Sequence, residues 1–140
     1  MLKKIYNVIK SGGIFAYEST NVRDPGFFSH PIAPVIAQYA DVMKTLNANS
    51  GRESEFGYRL CGEFKSLGLE NIHLRINQPI LTTAEEKSVL RLPMKKLSEE
   101  ILKFMPASDY EKLIADLKQL ETSDSYIGFF RNIMIAGTKP

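Results

Sequence analysis

Two polar residues follow a short apolar run near the start of the chain, and they are the first candidates for chemistry. Glu18 and Ser19 come directly after Ile14 to Tyr17, an unbroken apolar segment that predicts a buried strand. In α/β sheets, ligands bind at the carboxyl ends of the strands. Glu18 could therefore orient a substrate or remove a proton from it. A solvated carboxylate at a strand end is the alternative, and the sequence leaves both open.

Three further residues have side chains suited to substrate binding. His30 precedes Pro31 beside a predicted amphipathic helix, and it could act as a base or serve only as a loop or cap residue. Tyr58 and Arg59 begin another predicted helix, where they could bind an anionic or carbonyl group or simply pack on the surface. No catalytic residue is assigned. The substrate-binding candidates are Glu18, Ser19, His30, Tyr58 and Arg59.

Metal, disulfide and nucleophile chemistry find little support in the residue pattern. The chain has 2 histidines and 1 cysteine, scattered without the spacing of metal ligands. A single cysteine excludes an internal disulfide, and Cys61 lies on a predicted helix, where a small buried thiol is the favoured interpretation. No serine occupies the strained turn of a hydrolase nucleophile. We therefore predict no metal site.

The chain opens with a helix, a glycine turn and a strand. Apolar residues recur at helical spacing between residues 2 and 9, Gly12 and Gly13 end the helix, and the strand covers Ile14 to Thr20. An all-apolar strand expects cover on both faces and a paired strand on each edge. No residue precedes Met1 in the sequence to supply that neighbour, so we expect a bare edge.

Amphipathic helices fill most of the middle of the chain. A loop through Asn21, Asp24 and Pro25 leads to a helix from about Pro31, and a further helix covers residues 56–67. Thr83 and Ser108 are each followed three residues later by a glutamate, and each pair predicts a capping box that opens a helix. Pro93 should break or kink the helix between them.

Two segments have the character of strands. Ile72, Leu74 and Ile76 alternate with polar residues, which predicts one buried face and one polar face that holds His73. The segment from Tyr126 to the end is rich in aromatic and β-branched residues and predicts a final strand. Arg131 interrupts it, and pairing with an acid is favoured over reaching into a pocket.

Composition limits the classes of function. The 140 residues contain 44% hydrophobic residues and carry a net charge of +2, enough for one core. Basic residues are dispersed among acids, so nothing favours nucleic acid or an anionic membrane. No run is long and apolar enough to span a bilayer and no signal peptide is evident, so we expect a cytoplasmic protein.

Three stretches resemble class I S-adenosylmethionine-dependent methyltransferases. Residues 9–18, Ile-Lys-Ser-Gly-Gly followed by Ile-Phe-Ala-Tyr-Glu, are similar to the helix end and fifth strand of that family, with Ser11 in place of its usual proline. Residues 57–76 look like the next helix and sixth strand. The ending Ala-Gly-Thr-Lys-Pro at residues 136–140 is similar to the close of the long seventh strand.

The resemblance implies an α/β fold with a partial Rossmann-like sheet. Three strands are expected, with the last antiparallel between the other two, together with about five helices. The chain is then a single domain, residues 1–140, which corresponds to the C-terminal portion of the methyltransferase fold, with helical insertions at about 27–50 and 83–122. Strand 14–20 would form a sheet edge, and we expect a homodimer through that edge.

The family's cofactor-binding elements are missing from the sequence. The family holds S-adenosylmethionine with a Gly-rich turn after its first strand and an acidic residue at the end of its second. Gly12 and Gly13 instead follow a helix and precede a strand. We therefore expect no tight cofactor binding by this chain alone. The resemblance implies a substrate-side half acting on a small molecule; the alternative is a non-catalytic, dimeric binding or assembly module.

Overall fold

The computed structural model of the chain describes residues 1–20, 26–51 and 56–140. These residues form an α/β structure, as predicted, with two three-stranded sheets and helices of very different lengths. They fall into two compact units, and each sheet belongs to one of them. The predicted loop through Asn21, Asp24 and Pro25 lies outside the described residues. That the whole chain is one domain stays a prediction.

The first unit contains residues 1–20, 56–78 and 131–140 among those described. Its helices are α1 (Leu2–Val8) and α3 (Phe56–Ser66), and its strands are β1 (Ile14–Thr20), β3 (Glu70–Asn77) and β6 (Asn132–Thr138). The sheet order is β1-β6-β3, and β6 runs antiparallel to both neighbours. The predicted placement of the last strand between the other two is therefore confirmed.

The second unit contains residues 26–51 and 79–130. Its sheet was not predicted, because β2 (Phe28–His30), β4 (Ile80–Leu81) and β5 (Tyr126–Gly128) are too short to show periodicity. Their order is β2-β5-β4, with antiparallel pairs. The helices are α2 (Pro34–Asn49), α4 (Ala84–Lys87), a 3₁₀ turn (Ser88–Leu90), α5 (Arg91–Lys96), α6 (Ser98–Ile101) and α7 (Ala107–Glu121).

The helix ends follow local sequence rules at some positions and depart from them at others. Thr83 forms the predicted capping box with Glu86 at the start of α4. The second predicted box is wrong, because α7 begins after Pro106 and Ser108 lies inside its first turn. Gly68, at φ +80°, ends α3 with the paired backbone hydrogen bonds of a Schellman motif.

The predicted final strand is divided between the two units. Residues from Tyr126 form β5 in one sheet, residues from Asn132 form β6 in the other, and Arg131 lies between them. Helix α2 begins at Pro34, three residues after the predicted start at Pro31. Pro93 lies within α5, and the 3₁₀ turn Ser88–Leu90 interrupts the α-helical run just before α5. The division of the final segment between two sheets depends on which strands pair in the folded protein, and no local sequence pattern predicts it.

In the described part of the chain, only one face of the first sheet is covered. Phe15 stacks on Phe64 of α3 with ring centroids 4.9 Å apart, and Tyr17 meets Phe56 edge to face. The expectation of cover on both faces of β1 is wrong, since Ile14 is 73% exposed. On β3, Leu74 and Ile76 are likewise exposed rather than buried. Strands β1 and β3 are edges of the described sheet, which is why their apolar residues find less cover than those of β6.

Lys139 fixes the C-terminal residues to the first helix. Its Nζ donates hydrogen bonds to the carbonyl oxygens of Tyr6 and Ile9, at 3.1 and 2.8 Å, and lies 4.4 Å from the centroid of the Tyr6 ring. These carbonyls lie at the C-terminal end of α1, where the last carbonyls of a helix lack the usual i+4 partner, and that of Tyr6 also accepts a hydrogen bond from the amide of Ile9. A cation at a helix C-terminus also interacts favourably with the helix dipole. The contact therefore secures α1 against the end of β6.

Candidate functional site

The uncovered face of the first sheet holds an open depression of about 490 Å³. We call this surface the open face and define it by six residues. Strand β1 contributes Ala16 and Glu18, β6 contributes Met134 and Ala136, and β3 contributes His73 and Arg75. Its size falls within the range of small-molecule sites.

Strand register places these six side chains in two rows. Glu18 pairs with Met134, which pairs with Arg75, so a carboxylate and a guanidinium lie at the two ends of one row. Ala16, Ala136 and His73 form the parallel row beside it. Residues directly opposite one another in antiparallel strands face the same side. The small side chains of Ala16 and Ala136 make their row shallow beside Met134.

The predicted site residues are only partly brought together. Glu18 is on the open face and exposed, whereas Ser19 points to the other side of β1 because neighbouring residues alternate. Tyr58 and Arg59 lie on α3, which packs on the covered face, and Arg59 approaches Glu63 at 3.7 Å. The structure thus places both α3 candidates on the side of the sheet opposite Glu18.

His30 belongs to the second unit. It is exposed on β2, and its ring centroid lies 5.4 Å from that of Tyr126 on the paired strand β5. Phe28, also on β2, meets the Tyr126 ring edge to face. His30 therefore forms part of an exposed aromatic group, and its proposed role as a base stays a prediction.

Sequence reasoning missed two residues of the open face. The alternating pattern puts His73 and Arg75 on the polar face of their strand, but it does not mark either of them as a site residue. Two signals together could have found them. The alternation of β3 puts both side chains on one face, and the predicted strand order puts β3 next to the final strand. The register that aligns Arg75 with Glu18 is not visible in the sequence.

Among residues 1–20, 26–51 and 56–140, no group of three or more histidine, cysteine or acidic side chains is arranged to hold a metal ion. Cys61 on α3 is half-buried. Within the same described ranges, no helix combines the length and apolar character that crossing a membrane requires.

Comparison with solved structures finds distant likenesses, among them a methyltransferase. No family model matches the chain, and no curated protein matches it. The solved structure of Haemonchus contortus phosphoethanolamine N-methyltransferase 2, in complex with phosphomonomethylethanolamine and S-adenosylhomocysteine, is similar at 15% identity and a TM-score of 0.39. The match covers 99% of this chain and 29% of that enzyme.

Proposed function

We propose that the chain supplies the substrate-facing part of an S-adenosylmethionine-dependent methyltransferase that acts on a small molecule. The observation that carries the proposal is the strand order β1-β6-β3 with an antiparallel central strand. The sequence resemblance to class I methyltransferases implies this arrangement. Strands that follow one another in sequence usually lie side by side in a sheet, and here the last strand instead lies between the two earlier ones.

The described residues do not fit the cofactor by themselves. Gly12, at φ +78°, follows a helix, and its backbone amide donates a 2.8 Å hydrogen bond to the carbonyl of Lys139. It is therefore used to join α1 to the C-terminal residues and does not form a turn after a strand. S-adenosylmethionine supplies the methyl group in this family. In our proposal the cofactor is held by another segment, which pairs with the free edge of β1.

Among the described residues, Glu18 is our candidate to act on a substrate. It is exposed near the carboxyl end of β1, where a ligand above the strand end could meet its carboxylate. In the proposed role it accepts a hydrogen bond or a proton from the group to be methylated. Ser19 lies next to it but faces the covered side, so a direct role for its hydroxyl requires the substrate to reach around the strand end.

The proposal is tested by adding a segment that could hold the cofactor. The coding sequence that precedes the chain in its gene should encode, in frame or as a separate chain, a strand followed by a Gly-rich turn. Co-expressed with that segment, the chain should bind S-adenosylmethionine in calorimetric titration and transfer a radiolabelled methyl group, and Glu18→Gln should slow the transfer. The chain alone should show no binding. Tight cofactor binding by the isolated chain would contradict the assignment of its cofactor site to another segment.

A second candidate function follows from the unpaired edge of β1. Within the described residues β1 pairs only with β6, so a row of backbone donors and acceptors is available to another strand. A second copy of the chain could pair there and make a two-fold dimer that acts as a binding or assembly module. Light scattering across a hundredfold range of protein concentration tests this alternative. A monomer mass at every concentration would rule it out.

A further inference from the structure

The two ends of one row on the open face carry opposite charges. Glu18 and Arg75 are aligned across Met134, and adjacent strands lie about 4.8 Å apart, so their Cα atoms are about 10 Å from one another. Neither side chain forms a hydrogen bond or an ion pair in the described part of the chain. Both charges are therefore available to a ligand that spans the row.

The region between the two charges is apolar, with Met134 between them and two alanines in the neighbouring row. Met134 is 42% exposed, and Ala16 and Ala136 face the same side in register with each other. A methylene chain laid across the sheet would contact all three side chains and fill the depression. His73 lies two residues from Arg75 on the same face of β3, so imidazole and guanidinium donors are side by side at one end.

We propose that the open face binds a small zwitterion with separated charges. Its anionic group, a carboxylate or a phosphate, is held by Arg75 with His73, its cationic amine is held by Glu18, and its apolar middle lies over Met134. Charge complementarity selects this class, because a pure anion would meet Glu18 and a pure cation would meet Arg75. The inference does not rest on the proposed methyltransferase role.

The size of the face argues against a protein partner as its occupant. Three strands of about seven residues present roughly 330 Å². A stable protein interface buries about 800 Å² on each partner. The face is therefore too small to hold a second copy of the chain by itself, whereas it matches a ligand of small-molecule size.

The test uses ε-aminocaproate as the zwitterionic probe, with hexanoate and hexylamine as analogues that each lack one charge. Titration of the isotopically labelled full chain, followed by amide NMR spectra, should perturb residues of β1, β3 and β6 around the row. The zwitterion should bind about threefold to fivefold more tightly than either analogue, as expected for each partly exposed ion pair.

Substitutions at the two ends of the row should change the affinities for the charged probes in different ways. Glu18→Gln should weaken binding of ε-aminocaproate about threefold and leave hexanoate binding unchanged or stronger. Arg75→Gln should weaken the binding of ε-aminocaproate and hexanoate and spare hexylamine. The matched controls Glu63→Gln and Lys65→Gln, which lie on the helix of the covered face, should change none of the three affinities.

Three results would overturn the inference. The first is an absence of shifts on the open face at millimolar probe, and the second is equal affinity for all three probes. The third is a set of shifts that depend on protein concentration without any ligand and that include His73 and Arg75 on β3, away from the β1 edge, which would indicate a second copy as occupant. Retention of the dispersed amide spectrum in each variant shows that the glutamine replacements have not unfolded the chain. None of these results bears on cofactor binding.

Discussion

Replacing Tyr39 with phenylalanine should stabilise the protein. The ring of Tyr39 on α2 is fully buried and packs edge to face on Phe27 at 5.1 Å, yet its hydroxyl has no hydrogen-bond partner among the described residues. Burying an unpaired hydroxyl costs about 1–3 kcal/mol. Tyr39→Phe keeps the ring and removes that cost, at the loss of a few weak contacts of the oxygen. We expect the free energy of unfolding to rise by about 1 kcal/mol.

A tyrosine of the same unit provides the matched control. The hydroxyl of Tyr110 on α7 donates a 3.3 Å hydrogen bond to the carbonyl of Met94. Tyr110→Phe removes the same atom but also breaks a partly buried hydrogen bond, so it should cost about 1 kcal/mol. Urea unfolding followed by circular dichroism measures both changes, and Tyr39→Phe should raise Tm by about 3 °C.

The pH dependence of stability gives a second readout for Tyr39. Burial raises its pKa, because the phenolate would lose its hydration. The unfolded chain releases this proton near pH 10 while the folded chain retains it, so stability is intact below that pH and falls above it. Above that pH, the free energy of unfolding should fall by about 1.4 kcal/mol per pH unit because of Tyr39, and this fall should be absent from Tyr39→Phe. A Tyr39→Phe variant that is less stable than the natural chain by more than about 0.5 kcal/mol would refute the reasoning, since it would reveal a partner for the hydroxyl.

Two other side chains give predictions on stability. Lys139→Met should lower the free energy of unfolding by about 2 kcal/mol, because it removes the cation from the end of α1. The control Lys10→Met, on the exposed surface, should change the free energy of unfolding by less than about 0.5 kcal/mol. Urea titration measures both. Backbone hydrogen bonds from Thr83 and Thr82 lower the pKa of Glu86 to about 2, so its contribution is present above the unfolded pKa and is lost as the pH falls towards 2. Glu86→Gln should flatten thermal stability across that acid range, and an unchanged pH profile would contradict the capping assignment.

The topology of the first sheet shows how far a resemblance can lead. The strands Ile14–Thr20 and Glu70–Asn77 were predicted nearly to the residue from their apolar patterns. Their order, with the final strand antiparallel between them, came from the resemblance of three short stretches and is confirmed. Periodicity alone gives no strand order, because the same alternating pattern suits any neighbour.

The second unit shows where local reasoning fails. Lys87 is 2% exposed and donates a 2.5 Å hydrogen bond to the carbonyl of Ser123, and Arg91 pairs with Glu121 through two nitrogens. Each pair joins residues about thirty positions or more apart in the chain. A lysine in a helical pattern predicts a solvated side chain, and only packing against α7 reverses that expectation.

The sequence by itself determined the identity of the main helices and strands, the Thr83 capping box and the glycine that ends α3, because each depends on residues within a few positions of one another. Only the tertiary structure decided that the segment from Tyr126 divides between two sheets, that one face of β1 stays uncovered, and that Glu18 and Arg75 share a row across β6. Those features arise from the pairing and register of distant strands, whose free energy depends on neighbours that no local pattern specifies.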